Sequence, residues 1–266
     1  MTGFLASVRS AEESLIALAG GADIVDVKEP SAGALGRVDS ATLTVIVETL
    51  DGRRPVSATI GDVPLVPDAV IAAVRETAAT GVDIVKIGLF AGDLEGTLSA
   101  LSPLARATRL VAVVFADGAP DLVHLVPRCA AAGFAGIMLD TADKQAGPLT
   151  GHLVMDALAR FVASARAHGL LSGLAGALRL ADISSLAPLG ADYLGFRTAL
   201  TVGDRDGSLD LGAVRAVRRA LDAALPRDAA GIQLPWSSKA TDTAGARSAG
   251  AAPAVSSART VSSKVR

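Results

Sequence analysis

The chain is poor in four things, and each shortage excludes something. It has one cysteine, Cys129, in 266 residues. That rules out an internal disulfide and any multi-cysteine metal site, and it points to a reducing cytoplasm. Aromatic residues make up 3% of the chain, so a core must be assembled from Ala, Val, Leu and Ile. Mean hydropathy is high, at +0.45. Even so, the longest apolar stretches, such as LVAVVFA, are strand-sized and fall well short of the roughly 20 residues of a membrane span. The N-terminus, MTGFLASVRSAEE, has neither the basic cluster nor the apolar stretch of a signal peptide. The fourth shortage is lysine: five lysines stand against twenty arginines.

Half of the residues are hydrophobic, enough for a full core, and the length suits one large domain or two small ones. One rhythm runs from residue 3 to about 224. A β-branched run is followed by a polar or Gly-containing loop, then by an Ala/Leu-rich helical stretch. Strands are expected at 4–8, 23–28, 55–60, 83–88, 110–115, 135–139, 170–175 and 193–196. Helices are expected near 10–20, 39–50, 67–80, 94–106, 120–132, 152–168, 179–188 and 210–224. Glycine recurs just before the strands, in AGGADIV, ATGVDIV, AAGFAGI, AHGLLSG and PLGADYL. Such glycines end helices, because they accept positive φ. Eight apolar strands alternating with eight helices predict a single-domain α/β (β/α)8 TIM barrel over residues 1–225. A doubly wound open sheet is the structural alternative, although no GxGxxG follows the first strand.

Composition changes near Pro226. Residues 226–266 are rich in Ala, Ser, Thr and Gly and hold six Lys or Arg against two Asp. They read as a disordered tail, into which Lys239, Lys264 and the lone Trp236 fall. The scattered charge forms no dense basic block, so neither nucleic acid nor a membrane surface is an expected partner.

The other three lysines stand where strands end: Lys28 in DIVDVKEP, Lys86 in DIVKIG and Lys144 just past MLDTA. In such a barrel, active sites lie at the C-terminal ends of the strands. An amine can lose its proton and attack a carbonyl, which a guanidinium in a protein does not do. Asp26 and Lys28 are two apart on one strand and therefore share a face. Lys86 comes from a strand two removed, so the two amines are expected to approach, and mutual repulsion to depress one pKa. A buried ion-pair network without chemistry is the plain alternative.

Asp140 is a candidate acid or base, with loop capping as its structural alternative. Asp117, in VVFADG, ends the fifth strand and is placed to reach the same mouth or to form a turn. The segments GLAGALR (173–179) and GFRTAL (195–200) follow the seventh and eighth strands and suit phosphate binding. Gly176, Arg197 and Thr198 are the candidate substrate-binding residues there. SATIGDVP (57–64) and EPSAGALG (29–36) are further mouth loops. His124, His152 and His168 show no metal-binding spacing and are expected at the surface, so no metal is implied. Cys129 is read as structural.

Taken together, GGADIVDVKEPSAGALG, SATIGDVP, GVDIVKIGLF, GIMLDTADK, GLAGAL and GADYLGFR with the following GDRDGSLD resemble the (5-formylfuran-3-yl)methyl phosphate synthase family of methanofuran biosynthesis. The resemblance runs from about residue 4 to 223. It implies a TIM-barrel lyase that condenses two molecules of glyceraldehyde 3-phosphate, with loss of one phosphate and two waters. It further implies that Lys28 forms the Schiff base, that Lys86, Asp140 and Lys144 are functional with Asp26 matching, and that no cofactor takes part. The loop between Asp140 and Lys144 departs from the family pattern in detail. A class I aldolase or isomerase acting on triose phosphates, or a non-catalytic phosphometabolite binder, would share the same lysines. Apolar helix faces favour a homo-oligomer.

Overall fold

A computed structural model describes residues 2–117 and 122–224. Eight parallel strands close into a barrel in chain order. They are β1 (Gly3–Val8), β2 (Ile24–Val27), β3 (Val56–Thr59), β4 (Ile84–Gly88), β5 (Arg109–Phe115), β6 (Gly136–Asp140), β7 (Leu171–Leu174) and β8 (Tyr193–Phe196). β1 pairs with both β2 and β8, which closes the sheet and excludes the open alternative. Around it lie α1 (Ala11–Ala19), α2 (Ser40–Leu50), α3 (Pro67–Ala79), α4 (Leu94–Ala105), α5 (Leu125–Ala131), α6 (Leu149–His152), α7 (Met155–Ala167), α8 (Ile183–Leu186) and α9 (Leu211–Ala224).

Local chemistry sets the helix ends. The Ser10 hydroxyl accepts from Glu13 N, the Asp39 carboxylate from Thr42 N, and Asp93 from Gly96 N. Gly21, Gly81, Gly133, Gly169 and Gly190, one before each strand of the recurrent pattern, all have φ between 71° and 89°. The aspartates that follow three of them have a shared task. Asp23, Asp83 and Asp192 accept from Phe4 N, Val56 N and Ser172 N, at 2.8, 2.8 and 2.7 Å. Each carboxylate thus pins the start of a neighbouring strand at the end of the barrel away from the mouth.

Three expected helices differ. The one over 120–132 is confined among the described residues to α5: 120–121 lie outside them, and 122–124 are not helical. The one over 152–168 is divided into α6 and α7, because Leu153 and Val154 are extended and Leu153 turns in against the core. The one over 179–188 is a string of short turns around α8. Pro188 has no N–H to bond back to Ser184, so a continuous helix cannot form there. The expected tail, 226–266, lies outside the described residues.

The apolar side chains form two cores. One lies between the strands and the helix ring. The other fills the barrel, with Leu5, Ile24, Ile84, Val111, Met138 and Tyr193 among its members. Strand side chains repeat every second residue. Two residues on from Leu5, Ile24, Ile84 and Met138, the next inward positions are therefore Ser7, Asp26, Lys86 and Asp140, and all four are buried. The apolar plug ends there and a polar layer begins. On β7 and β8 the inward positions above Leu171 and Tyr193 are Gly173, Ala175 and Gly195; the Tyr193 ring fills the space at Gly173, and the small Ala175 and Gly195 line the pocket. A Cβ on Gly173 would meet the Tyr193 ring at 2.4 Å. The pocket opens on this side.

Candidate active site

The deepest charged group at the mouth is Asp26, which is fully buried. Its Oδ1 accepts from Lys86 Nζ at 2.9 Å and from the Ser57 hydroxyl at 2.6 Å, and its Oδ2 from the Ser7 hydroxyl at 3.1 Å. β2 and β4 are two strands apart, yet inward side chains of alternate strands meet, and this pair shows it. Burial alone would raise the Asp26 carboxyl. The positive charges of Lys86 and Lys28 and the Ser57 hydroxyl outweigh it and hold the group below the usual carboxylate range.

Asp140, the last residue of β6, forms the second ion pair. Its Oδ1 accepts from Lys144 Nζ and from Thr141 N. Lys144 also donates to the Thr141 carbonyl, so this loop amine is folded back onto the strand end and nearly buried. Asp140 too is kept below its ordinary pKa: burial opposes ionisation, and Lys144 and Lys28 overcome it. Its Oδ2 is buried and has no hydrogen-bond partner among the described residues.

Lys28 differs from both other lysines. It follows β2, anchored by a bond from its N–H to the Val8 carbonyl at 3.0 Å, and is 7% exposed. Its amine makes no hydrogen bond or ion pair among the described residues. Its pKa falls from 10.5 to about 8. Burial is the largest cause; Asp140 and Asp26 push the other way, and Lys144 and Lys86 add to the fall. Repulsion between amines, the expected cause, is present but secondary to loss of solvent. Two lysines are tied to carboxylates, and the third is a partly neutral amine facing the same pocket.

The β7 and β8 loops form the far wall. Gly176, Ala177 and Thr198 line the pocket, and their backbone N–H groups have no partner among the described residues. Gly176 has φ +107°, and a Cβ there would come within 3.1 Å of three Thr141 atoms. Arg197 also borders the pocket, but its donors are committed. Nε donates to the Arg205 carbonyl at 2.9 Å, Nη1 to Ser7 O at 3.2 Å and Glu13 Oε2 at 2.5 Å, and Nη2 to Glu13 Oε1 at 3.2 Å and Gly207 O at 2.8 Å. A guanidinium has five N–H groups, and all five are used. The expected phosphate contact by this side chain is therefore corrected to a structural one.

Asp117 is corrected likewise. It does not border the pocket, and its two oxygens accept from Ala142 N and Asp143 N at 2.9 and 2.7 Å. It supports the loop that carries Lys144. Asp62, in the SATIGDVP segment, accepts from Ala34 N and Leu35 N and so ties the loop after β2 in place. His124 and His168 are exposed as expected, whereas His152 is half-buried with its Nε2 covered. Cys129 is buried and its thiol pushed up to about 12, which makes it inert. No cluster of three His, Cys, Asp or Glu among the described residues is arranged to hold a metal, and no helix there is long and apolar enough to cross a membrane.

A family model described as 4-HFC-P synthase matches residues 4–218. The chain belongs to that family. A (5-formylfuran-3-yl)methyl phosphate synthase of Methanopyrus kandleri is 39% identical, over 82% of this chain and 98% of the relative. The enzyme of that name from Methanothermobacter thermautotrophicus is 37% identical over the same shares. A Methylorubrum extorquens protein given the name provisionally is 42% identical, over 85% of this chain and 94% of its own length. Among solved structures, 3-hexulose-6-phosphate synthase superposes with a TM-score of 0.59 at 20% identity, covering 83% of this chain and 100% of that one, which speaks for the fold alone.

Several residues of this 4-HFC-P synthase family pocket escaped sequence reasoning. Ser7 and Ser57 bind Asp26, Glu13 neutralises Arg197, and Arg205 borders the mouth. A signal existed for the two serines: each interrupts an apolar strand at an inward position level with Asp26. Glu13 had none, because a glutamate in the first turn of a helix is read as a solvated charge.

Proposed function

We propose that this family member condenses two molecules of glyceraldehyde 3-phosphate into (5-formylfuran-3-yl)methyl phosphate, releasing one phosphate and two waters, by way of an imine on Lys28. The observation that carries the reading is the state of Lys28: the one lysine of the pocket free of an ion pair, with its pKa brought to about 8. A neutral amine attacks the aldehyde or ketone of a triose phosphate and expels water. The imine then draws electrons from the adjacent carbon, whose proton leaves, and the carbon attacks the second aldehyde. Asp140 suits the proton transfers. It is ionised, buried and beside Lys28, with Oδ2 unpartnered.

Lys86 is held by Asp26 and would supply positive charge close to the imine nitrogen. Lys144 steadies Asp140. The free N–H groups of the β7 and β8 loops suit a substrate phosphate. Phosphate leaves from a carbon next to the developing carbanion. A hydroxyl closes the ring on a carbonyl, two losses of water make the furan, and hydrolysis of the imine returns the water expelled on its formation and frees Lys28. The reaction is a carbon–oxygen lyase reaction in its eliminations, and its balance requires no oxidant.

Incubation with glyceraldehyde 3-phosphate and borohydride should leave Lys28 covalently modified, read by peptide mass spectrometry. Without reductant, an ultraviolet-absorbing furan should accumulate. Unmodified Lys28 would overturn the imine. A trapped Lys28 without furan would instead make the protein a simple class I aldolase.

A further inference from the structure

Arg197 was the expected phosphate ligand, and its donors are spent inside the protein. The question is which cation meets a phosphate at this mouth. With Lys86 paired to Asp26, Lys144 to Asp140 and Arg197 to Glu13, two cationic side chains bordering the pocket remain without a carboxylate partner among the described residues: Lys28 and Arg205. Lys28 loses its charge easily; a guanidinium does not.

We propose that Arg205 is the phosphate-binding side chain of this site, and that Arg197 is the positioning residue that builds its loop. The inference rests on the reading above only in taking the substrate to be a phosphate ester. Arg205 lies in the GDRDGSLD segment after β8, half-buried, and borders both the deep pocket and the groove above it between the loops after β2, β6 and β8. Its one side-chain hydrogen bond among the described residues runs from Nη2 to Gly33 O at 3.4 Å. That is at the long limit for such a bond. Charge-assisted bonds to a phosphate, typically about 2.7–2.9 Å, would replace it with gain. The contact with Gly33 also holds the guanidinium toward the loop after β2, the strand next but one to β8 in the closed barrel.

The loop is not left to chance. Arg197 Nε and Nη2 bond the carbonyls of Arg205 and Gly207, while Nη1 bonds the Ser7 carbonyl and Glu13. The buried Glu13–Arg197 pair therefore ties the backbone on either side of Asp206 to the ends of β1 and β8. Thr198, between Arg197 and Arg205, borders the same two spaces and offers an unpartnered N–H. Asp143, Asp204 and Asp206 line the outer groove, whereas the two carboxylates of the deep pocket, Asp26 and Asp140, are each paired with a lysine, so an anion is favoured inward of Arg205 and disfavoured outside it.

The test compares wild type, Arg205→Gln and Arg205→Lys. Calorimetric titration with inorganic phosphate requires no imine and no furan chemistry. Arg205→Gln should weaken phosphate binding about ten- to a hundredfold, and Arg205→Lys should recover part of the loss. In parallel, reductive trapping on Lys28 is measured with glyceraldehyde and with glyceraldehyde 3-phosphate. Arg205→Gln should slow trapping of the phosphorylated aldehyde many times more than that of glyceraldehyde. Equal loss with both aldehydes would show a structural role and overturn the proposal. So would wild-type affinity for phosphate in Arg205→Gln, or no measurable phosphate binding by wild type. Failure of the furan reading is seen separately, as absence of product from the wild-type protein.

Discussion

Replacing Lys28 with methionine should abolish activity and make the protein more stable at neutral pH. Methionine is unbranched, apolar and similar in length, so it can occupy the same space. What it removes is a charge held where charge is disfavoured. The fall of the Lys28 pKa from 10.5 to about 8 corresponds to about 3 kcal/mol against the protonated form in the folded state. For a chain of this size that is a rise in melting temperature of roughly 6–12 °C. The sign follows from proton counts. Below pH 8 the amine is charged in both folded and unfolded wild type, and the folded state bears the full penalty. Between about 8 and 10.5 the unfolded chain binds the proton more tightly, so wild-type stability climbs as pH rises. The advantage of Lys28→Met should therefore be complete at pH 7, shrink across this window and vanish above it. Thermal melts of both proteins across that range measure it. A variant that melts no higher than wild type at pH 7 would refute the buried-charge account, as would a gain that persists unchanged at about pH 11.

Lys144→Met should move the acid limb of Lys28 trapping to higher pH. Lys144 lowers the Lys28 pKa, and Asp140, freed of its partner, raises it, so both changes act together; a pH profile of cyanoborohydride trapping reads the direction. Asp26→Asn leaves Lys86 buried without its carboxylate and should cost about 3–5 kcal/mol in urea unfolding. The Asp26→Asn/Lys86→Met double variant should then lose less than the sum of the two single changes. Gly176→Ala forces a side chain into φ +107° and against Thr141. It should cost about 1–3 kcal/mol, seen as a lower melting temperature, and raise KM for the phosphorylated substrate.

Legibility in the sequence followed the physical range of each feature. All eight strands lie within one residue of the expected ends, because strand identity rests on short apolar runs and on the glycines that stop the preceding helices. The α6–α7 break was not legible. It depends on Leu153 finding a place in the core, which no local pattern encodes. The lysines and Asp140 could be singled out because their residue type is rare or ill-suited to an apolar strand. Arginine is abundant here, so composition offered no means of telling Arg197 from Arg205. The difference between them is Glu13, 184 residues away along the chain.

By itself the sequence determined that eight strands alternate with helices, that three amines stand near strand ends, and that the chain resembles a furan-forming synthase. These follow from periodicity, turn chemistry and residue type, all of which act over a few neighbours. Only the tertiary structure decided which amine is free. Asp26 could have paired with Lys28, two residues away and on the same face, and instead bonds Lys86 across the barrel. That choice depends on closure of the sheet, which brings alternate strands to one layer and withdraws the water that would otherwise leave every lysine equally charged.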